Sequence, residues 1–210
     1  MRIIAGEWRS RLLRAPRGEA TRPTADRTRE TLFAMLTSRL GSFEGLAVAD
    51  LFAGSGALGL EALSRGAARC LFVENEAEAL RALRANIAAL RAAERCEVEA
   101  RSVMQLAAAR QTWDLILLDP PYNSGAGAVA LDRLNRLGWI GPATWIALET
   151  ASDEVVTVKS LAIESERRVG KAKLTLLRPL EALVHRRRRR RGHVAGVVAR
   201  HRRGAALGSH

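Results

Sequence analysis

Short apolar runs alternate with longer stretches of helical period through most of the chain. Residues 46–52 are almost uniformly apolar and run into a glycine-rich turn, which predicts a buried strand. A helix is expected over 57–65, stopped by Gly66, then a second strand over 68–73. Over 76–91, Leu80, Leu83, Ile87 and Leu90 recur at helical spacing, with Arg81, Arg84 and Arg91 on other faces. A weak third strand over 96–100, a strong fourth over 113–118, a helix over 128–137 and a fifth strand over 145–149 continue the pattern. Residues 163–169 and 173–177 read as a hairpin around Gly170 and Lys171. Upstream, 24–40 predicts a helix with Thr24 as N-cap and Leu32, Phe33, Leu36 and Leu40 on its apolar face. Residues 1–22 carry no helical period, and no convincing element follows Pro179.

Strands and helices alternating at this spacing predict an α/β fold, a doubly wound Rossmann-like sheet, mostly parallel, with a C-terminal antiparallel hairpin. The chain divides into a basic arm and helix (1–40) packed on the core, a sheet domain (41–179) and an Arg-rich tail (180–210) expected to be disordered. Such a sheet binds its ligand at the carboxyl ends of the strands, where the strand order reverses.

Charge changes this picture by its position. The 210 residues hold 34 Lys+Arg against 22 Asp+Glu, a net charge of +12. Nine Arg against one acid give the last 31 residues +8, eight Arg against three acids give the first 29 +5, and the middle is left near neutral at −1. Two cationic ends on a neutral body suit a polyanionic partner, although six consecutive Arg also mark plain solvated arms.

Composition removes several chemistries. Cys70 and Cys96 occur without a CxxC, so neither a zinc cluster nor a disulfide framework is indicated. All four His lie after residue 184, which excludes Ser-His-Asp and Cys-His catalysis and His-ligated metals from the body. No apolar run reaches about 18 residues, so a cytoplasmic protein without a membrane partner is expected, with a monomer as the default.

Gly54, Gly56 and Gly59 fit GxGxxG between the first strand and its helix, where glycine permits a tight turn and close approach of a ligand to the backbone. Glu74 ends the second strand 20 residues after Gly54, placed to accept ribose hydroxyls. Together they indicate an adenosine-type cofactor and leave NAD and S-adenosylmethionine both open. The fourth strand runs straight into Asp119-Pro120-Pro121-Tyr122. Two prolines remove two N–H donors, so this turn offers acceptors, which suits a planar exocyclic amine, and Tyr122 offers a face for stacking.

DLFAGSGALGLEALSRGA with DPPY resembles the S-adenosylmethionine-dependent class I methyltransferases that act on exocyclic amines of nucleobases. RIIAGEWRSRLL, then TRPTADRTRETLF, then the glycine loop and VENE, resemble more narrowly the RsmD family, bacterial enzymes that methylate a guanine N2 amine in small-subunit (16S) rRNA. The resemblance implies that Asp50, Phe52, Ala53, Gly54 and Gly56 cradle the methionine end of S-adenosylmethionine and that Glu74 holds its ribose. It implies that Asp119, Pro120, Pro121 and Tyr122 hold the target base, and that Arg9, Arg11, Arg22, Thr24, Arg27 and Arg29 contact RNA, the last four bordering the site. Where members place Asp or Asn beside the adenine this chain has Ser102, which passes that contact to the Val103 backbone. The tail after Pro179 lies outside the family pattern.

The expected partner is 16S rRNA within a small-subunit ribosomal particle. A DNA adenine-N6 or cytosine-N4 methyltransferase shares the glycine loop and DPPY. An NAD-dependent oxidoreductase leaves DPPY and both basic ends without a role, and a non-catalytic nucleic-acid-binding protein would not bind S-adenosylmethionine. Cys70, Cys96, Trp139 and Trp145 read as packing residues, and Trp8 is open between packing and stacking on RNA.

Overall fold

The computed structural model describes residues 1–16 and 23–180. The Arg-rich tail from 181 onward, and Arg22, lie outside the described residues. Seven strands, β1 (Ala47–Leu51), β2 (Arg69–Glu74), β3 (Cys96–Ala100), β4 (Leu115–Leu118), β5 (Trp145–Ala151), β6 (Leu161–Val169) and β7 (Ala172–Pro179), form one sheet. Its order is β3-β2-β1-β4-β5-β7-β6. The β1–β2, β2–β3, β1–β4 and β4–β5 pairs are parallel. Only β7 runs antiparallel to its neighbours, making the expected hairpin with β6 around Gly170 and Lys171. The order reverses between β1 and β4, so the crevice of this doubly wound sheet opens beyond Leu51 and Leu118.

Four helices, α1 (Pro23–Leu40), α2 (Ala57–Ser64), α3 (Ala77–Ala89) and α4 (Ala126–Arg136), cover the two faces. Side chains of a strand alternate between faces, and here both faces are buried, which is why the central strands read as unbroken apolar runs. On one face Val48, Leu115, Leu117 and Ala147 pack with Leu32, Phe33 and Leu36 of α1, Leu60 and Leu63 of α2, and Leu83 and Ile87 of α3. On the other, Ala49, Leu51, Ile116, Leu118 and Leu148 meet Ala130, Leu131 and Leu134 of α4.

Most elements shift by one or two residues from the sequence expectation, and two of the shifts have a visible cause. Helix α4 starts at Ala126 rather than 128, because Gly125 takes φ +67° and closes the preceding turn as N-cap. Strand β4 starts at Leu115 rather than 113, since Trp113 leaves the ladder to stack on Trp139 at 6.0 Å. Both tryptophans are buried, as are Trp145, under the Arg178 guanidinium, and Cys70, which pairs in register with half-buried Cys96.

Residues 1–16 form a docked loop. Ile3 donates to the Arg11 carbonyl, Ser10 to Ile3 and Leu13 to Met1, with Ile3, Trp8 and Leu13 buried. The Glu61 carboxylate of α2, wholly buried, accepts the amides of Ile4 and Ala5 at 2.8 and 3.0 Å and the Arg65 guanidinium at 2.8 Å. Trp8 is thereby a packing residue, its ring under the Arg95 guanidinium at 4.8 Å.

Candidate active site

Beyond β1 the chain turns through Phe52 (φ +63°), Gly54 (φ +56°) and Gly56 (φ +82°), all in the left-handed region. For Phe52 that conformation is strained, a feature that concentrates at ligand-binding sites. Gly54 and Gly59 do different work. A Cβ on Gly54 would meet nothing within 4 Å, so its open side is free for a ligand. A Cβ on Gly59 would lie 2.4 Å from the Phe72 ring and 2.6 Å from Cys70 Sγ, so this position lets α2 lie close on β2.

Asp50 turns its side chain under the start of α2, where Oδ2 accepts the Gly59 amide at 2.8 Å. Its Oδ1 is buried without a partner. Burial pushes its pKa from 3.8 up to about 8, with the Gly59 bond opposing and the nearby Glu74 charge adding to the rise. Glu74, at the end of β2, accepts the Gly54 amide at 2.7 Å on one oxygen and those of Asn75 and Glu76 at 2.7 and 2.8 Å on the other. At the end of β3, Ser102 spends its hydroxyl locally. It accepts the Met104 amide at 3.2 Å and caps a short turn, and the adjoining Val103 is buried.

The Asp119 to Tyr122 turn leaves β4 at the crevice, because Leu51 and Leu118 are register partners and both chains leave the sheet together. Asp119 and Pro121 are exposed and Pro120 is buried. Tyr122 is 44% exposed. Its hydroxyl donates to Glu149 Oε1 at 2.6 Å, while the Asn123 amide donates to Glu154 at 2.9 Å. Burial, the Glu149 bond and the negative field of Glu149 and Asp119 hold the Tyr122 hydroxyl protonated well beyond its ordinary range. Burial also pushes the Glu149 carboxyl up, with the Tyr122 bond opposing.

The family described as conserved hypothetical protein 95 matches residues 1–178. A Haemophilus influenzae protein named ribosomal RNA small subunit methyltransferase D is 35% identical over 175 residues, 81% of this chain and 89% of that one. The chain belongs to the RsmD family. The Escherichia coli K12 protein of the same name is 37% identical over 150 residues, 71% of this chain and 74% of that one. A solved Escherichia coli structure, a putative methyltransferase, superposes with TM-score 0.73 at 33% identity, covering 85% of this chain and 97% of that one. The sheet order is therefore that of a methyltransferase fold.

In this RsmD-family chain the arginines expected at RNA part company. Arg27 is exposed on the first turns of α1. Arg29 is corrected to an interior residue, 4% exposed. Its guanidinium donates to the Arg2 carbonyl at 2.5 Å, pairs with Asp26 at 3.0 Å and lies 4.0 Å from Glu61, so it fastens the N-terminal loop to α1 and α2. Arg9 is exposed next to Trp8, whose amide donates to Ser64 at the end of α2. Arg11 is tied to the Ala89 carbonyl at the end of α3 at 2.8 Å. Thr24 is the second residue of α1, which starts at Pro23, so it lies inside the helix and is not the N-cap expected from the sequence.

Three residues of consequence escaped the sequence reading. Glu149 was visible only as the end of the fifth strand, although an acid at that position of a doubly wound sheet is a signal of the same kind as Glu74. Asn86 of α3 joins the N-terminal loop to the glycine turn, exchanging hydrogen bonds with the Arg14 backbone and donating to the Ser55 carbonyl at 2.9 Å. Glu61 reads as an ordinary helix acid in sequence.

Proposed function

We propose that this chain transfers a methyl group from S-adenosylmethionine to the exocyclic N2 amine of a guanine in bacterial small-subunit rRNA, in the cytoplasm. The carrying observation is the Leu51–Leu118 register, which brings the glycine turn and the Asp119 turn out of the sheet side by side. A cofactor held by one then faces a base held by the other.

The residues fit S-adenosylmethionine. Asp50 Oδ1 is a buried acceptor without a partner, and the open side of Gly54 leaves room beside it. Asp50, Phe52, Ala53, Gly54 and Gly56 would hold the methionine end. A carboxylate has about four acceptor sites, and three amides occupy Glu74, which leaves about one for a ribose hydroxyl. Val103 offers its backbone beside the adenine, with Ser102 committed to its own turn. When bound, S-adenosylmethionine supplies an activated methyl on a sulfonium, so the protein need furnish no covalent nucleophile.

What the chain must do is hold and polarise the amine. Guanine N2 is a poor nucleophile because its lone pair is delocalised into the ring. Accepting the amine hydrogens on the Asp119 carboxylate and the Pro120 carbonyl favours a more nucleophilic geometry and relieves the charge that develops as the N–C bond forms. The Tyr122 ring, anchored through its hydroxyl, provides a stacking face for a base taken out of its helix. Exposed Arg27 would add a phosphate contact.

The test is transfer of radiolabelled methyl onto small-subunit particles, naked small-subunit rRNA and duplex DNA, followed by nucleoside analysis. N2-methylguanosine in the RNA is the expected product. Label in DNA, or on adenine N6 or cytosine N4, would overturn the proposal.

A further inference from the structure

The site holds a second carboxylate that the chemistry above leaves unused. Leu118 of β4 and Leu148 of β5 are register partners, so Asp119 and Glu149 follow them on adjacent parallel strands, whose backbones lie about 4.8 Å apart. Alternation turns Glu149 away from the face of Leu148, toward the face on which Asp50 also lies. Glu149 is half-buried, and only one of its oxygens carries the Tyr122 hydroxyl. The carboxylate therefore stands beside the turn that carries Asp119 and Tyr122, with acceptor capacity to spare.

An acceptor there distinguishes the nucleobases. Guanine carries a hydrogen on N1, next to the carbon that bears its amine, so its edge presents donors side by side. Adenine and cytosine have a bare ring nitrogen beside theirs. Opposite such a nitrogen a carboxylate finds a lone pair and no proton, and a buried acceptor left unmatched is costly.

We propose that Glu149 accepts the N1–H of the target guanine while Asp119 takes the amine, and so sets the preference for guanine over bases whose ring nitrogen is unprotonated. The proposal rests on the guanine-N2 reading above. Tyr122 has a linked part, since its hydroxyl fixes the orientation of the carboxylate that reads the base.

The full chain is assayed on a synthetic rRNA fragment carrying, at the mapped position, either guanosine or 2,6-diaminopurine riboside, which keeps the N2 amine but has a bare N1. The wild type is expected to prefer guanosine by about 100-fold in kcat/KM. Glu149→Gln, whose amide can donate to a bare nitrogen, should bring that ratio below about 10-fold. Glu149→Asp should keep the preference at a lower rate, and Tyr122→Phe should lower the rate on both substrates. Equal loss on both substrates in Glu149→Gln would show that Glu149 only positions Tyr122, and would overturn the assignment. A wild-type ratio below about 10-fold overturns it without any variant. Absence of N2 methylation of guanosine by the wild type overturns the underlying reading, and Glu149 with it.

Discussion

Gly54 donates its backbone amide to the Glu74 carboxylate at 2.7 Å, so the cofactor-side turn after β1 is held by the acid that ends β2. The two motifs that in sequence suggest one ligand are already joined before any ligand arrives. Glu74 therefore shapes the turn, and under the proposed function it offers its remaining acceptor capacity to a ribose. Glu74→Ala should weaken S-adenosylmethionine binding by about 10- to 100-fold, the equivalent of one or two charge-assisted hydrogen bonds. Isothermal titration checks this, and an affinity within twofold of wild type would contradict it.

Asp119 is exposed at the crevice, and in the proposed reaction its role is confined to the amine. Asp119→Ala should lower kcat by at least about 100-fold and leave cofactor affinity nearly unchanged, as expected for a group that acts on developing charge. Single-turnover methyl transfer alongside titration of the cofactor separates the two effects.

Asp50 carries a pH dependence whose sign is set by burial. Its pKa in the fold, about 8, lies above the ordinary 3.8. The folded state thus binds the proton more tightly than the unfolded chain, so stability is full at acid pH and is lost as pH rises through about 8. The unliganded protein should melt lower at pH 9 than at pH 5. Asp50→Asn should flatten that slope and raise Tm by several degrees at pH 8, at roughly 2–4 °C per kcal/mol. Thermal melts across this range test it, and an unchanged slope in Asp50→Asn would assign the dependence elsewhere.

Glu61 is wholly buried between Arg29, Arg65 and the amides of Ile4 and Ala5. Glu61→Ala leaves the Ile4 and Ala5 amides without their acceptor and removes the buried charge beside Arg29 and Arg65, a loss of about 3 kcal/mol or more. It should lower Tm by about 6 °C or more and release the N-terminal loop. Limited proteolysis reports the latter, with cleavage within residues 1–16 expected in the variant and not in the wild type.

Burial on both faces makes the central strands continuous apolar runs, and the turns after them must carry glycine or proline, so strand positions and motif positions were legible together. Helix α3 was legible for a related reason, since its apolar stripe repeats within a single element. Arg29 is the opposite case. In sequence it is one arginine among eight in a basic segment, and nothing local separates it from exposed Arg27. Its burial follows from Glu61, which lies 32 residues further along and reaches it only once α1 and α2 pack on the same face of the sheet.

By itself the sequence determined the element order, the doubly wound class and the residues at the two strand ends where chemistry is placed. Those depend on periodicity and on glycine, proline and acid positions, which act within a few residues. Only the tertiary structure decided which groups hold the N-terminal loop, that Arg29 is interior while Arg27 is exposed, and that Glu149 holds Tyr122. Each of these arises from strand register and helix packing between distant segments. The balance there is between burying a charge with a partner and leaving it in water, and it exists only once the chain has folded.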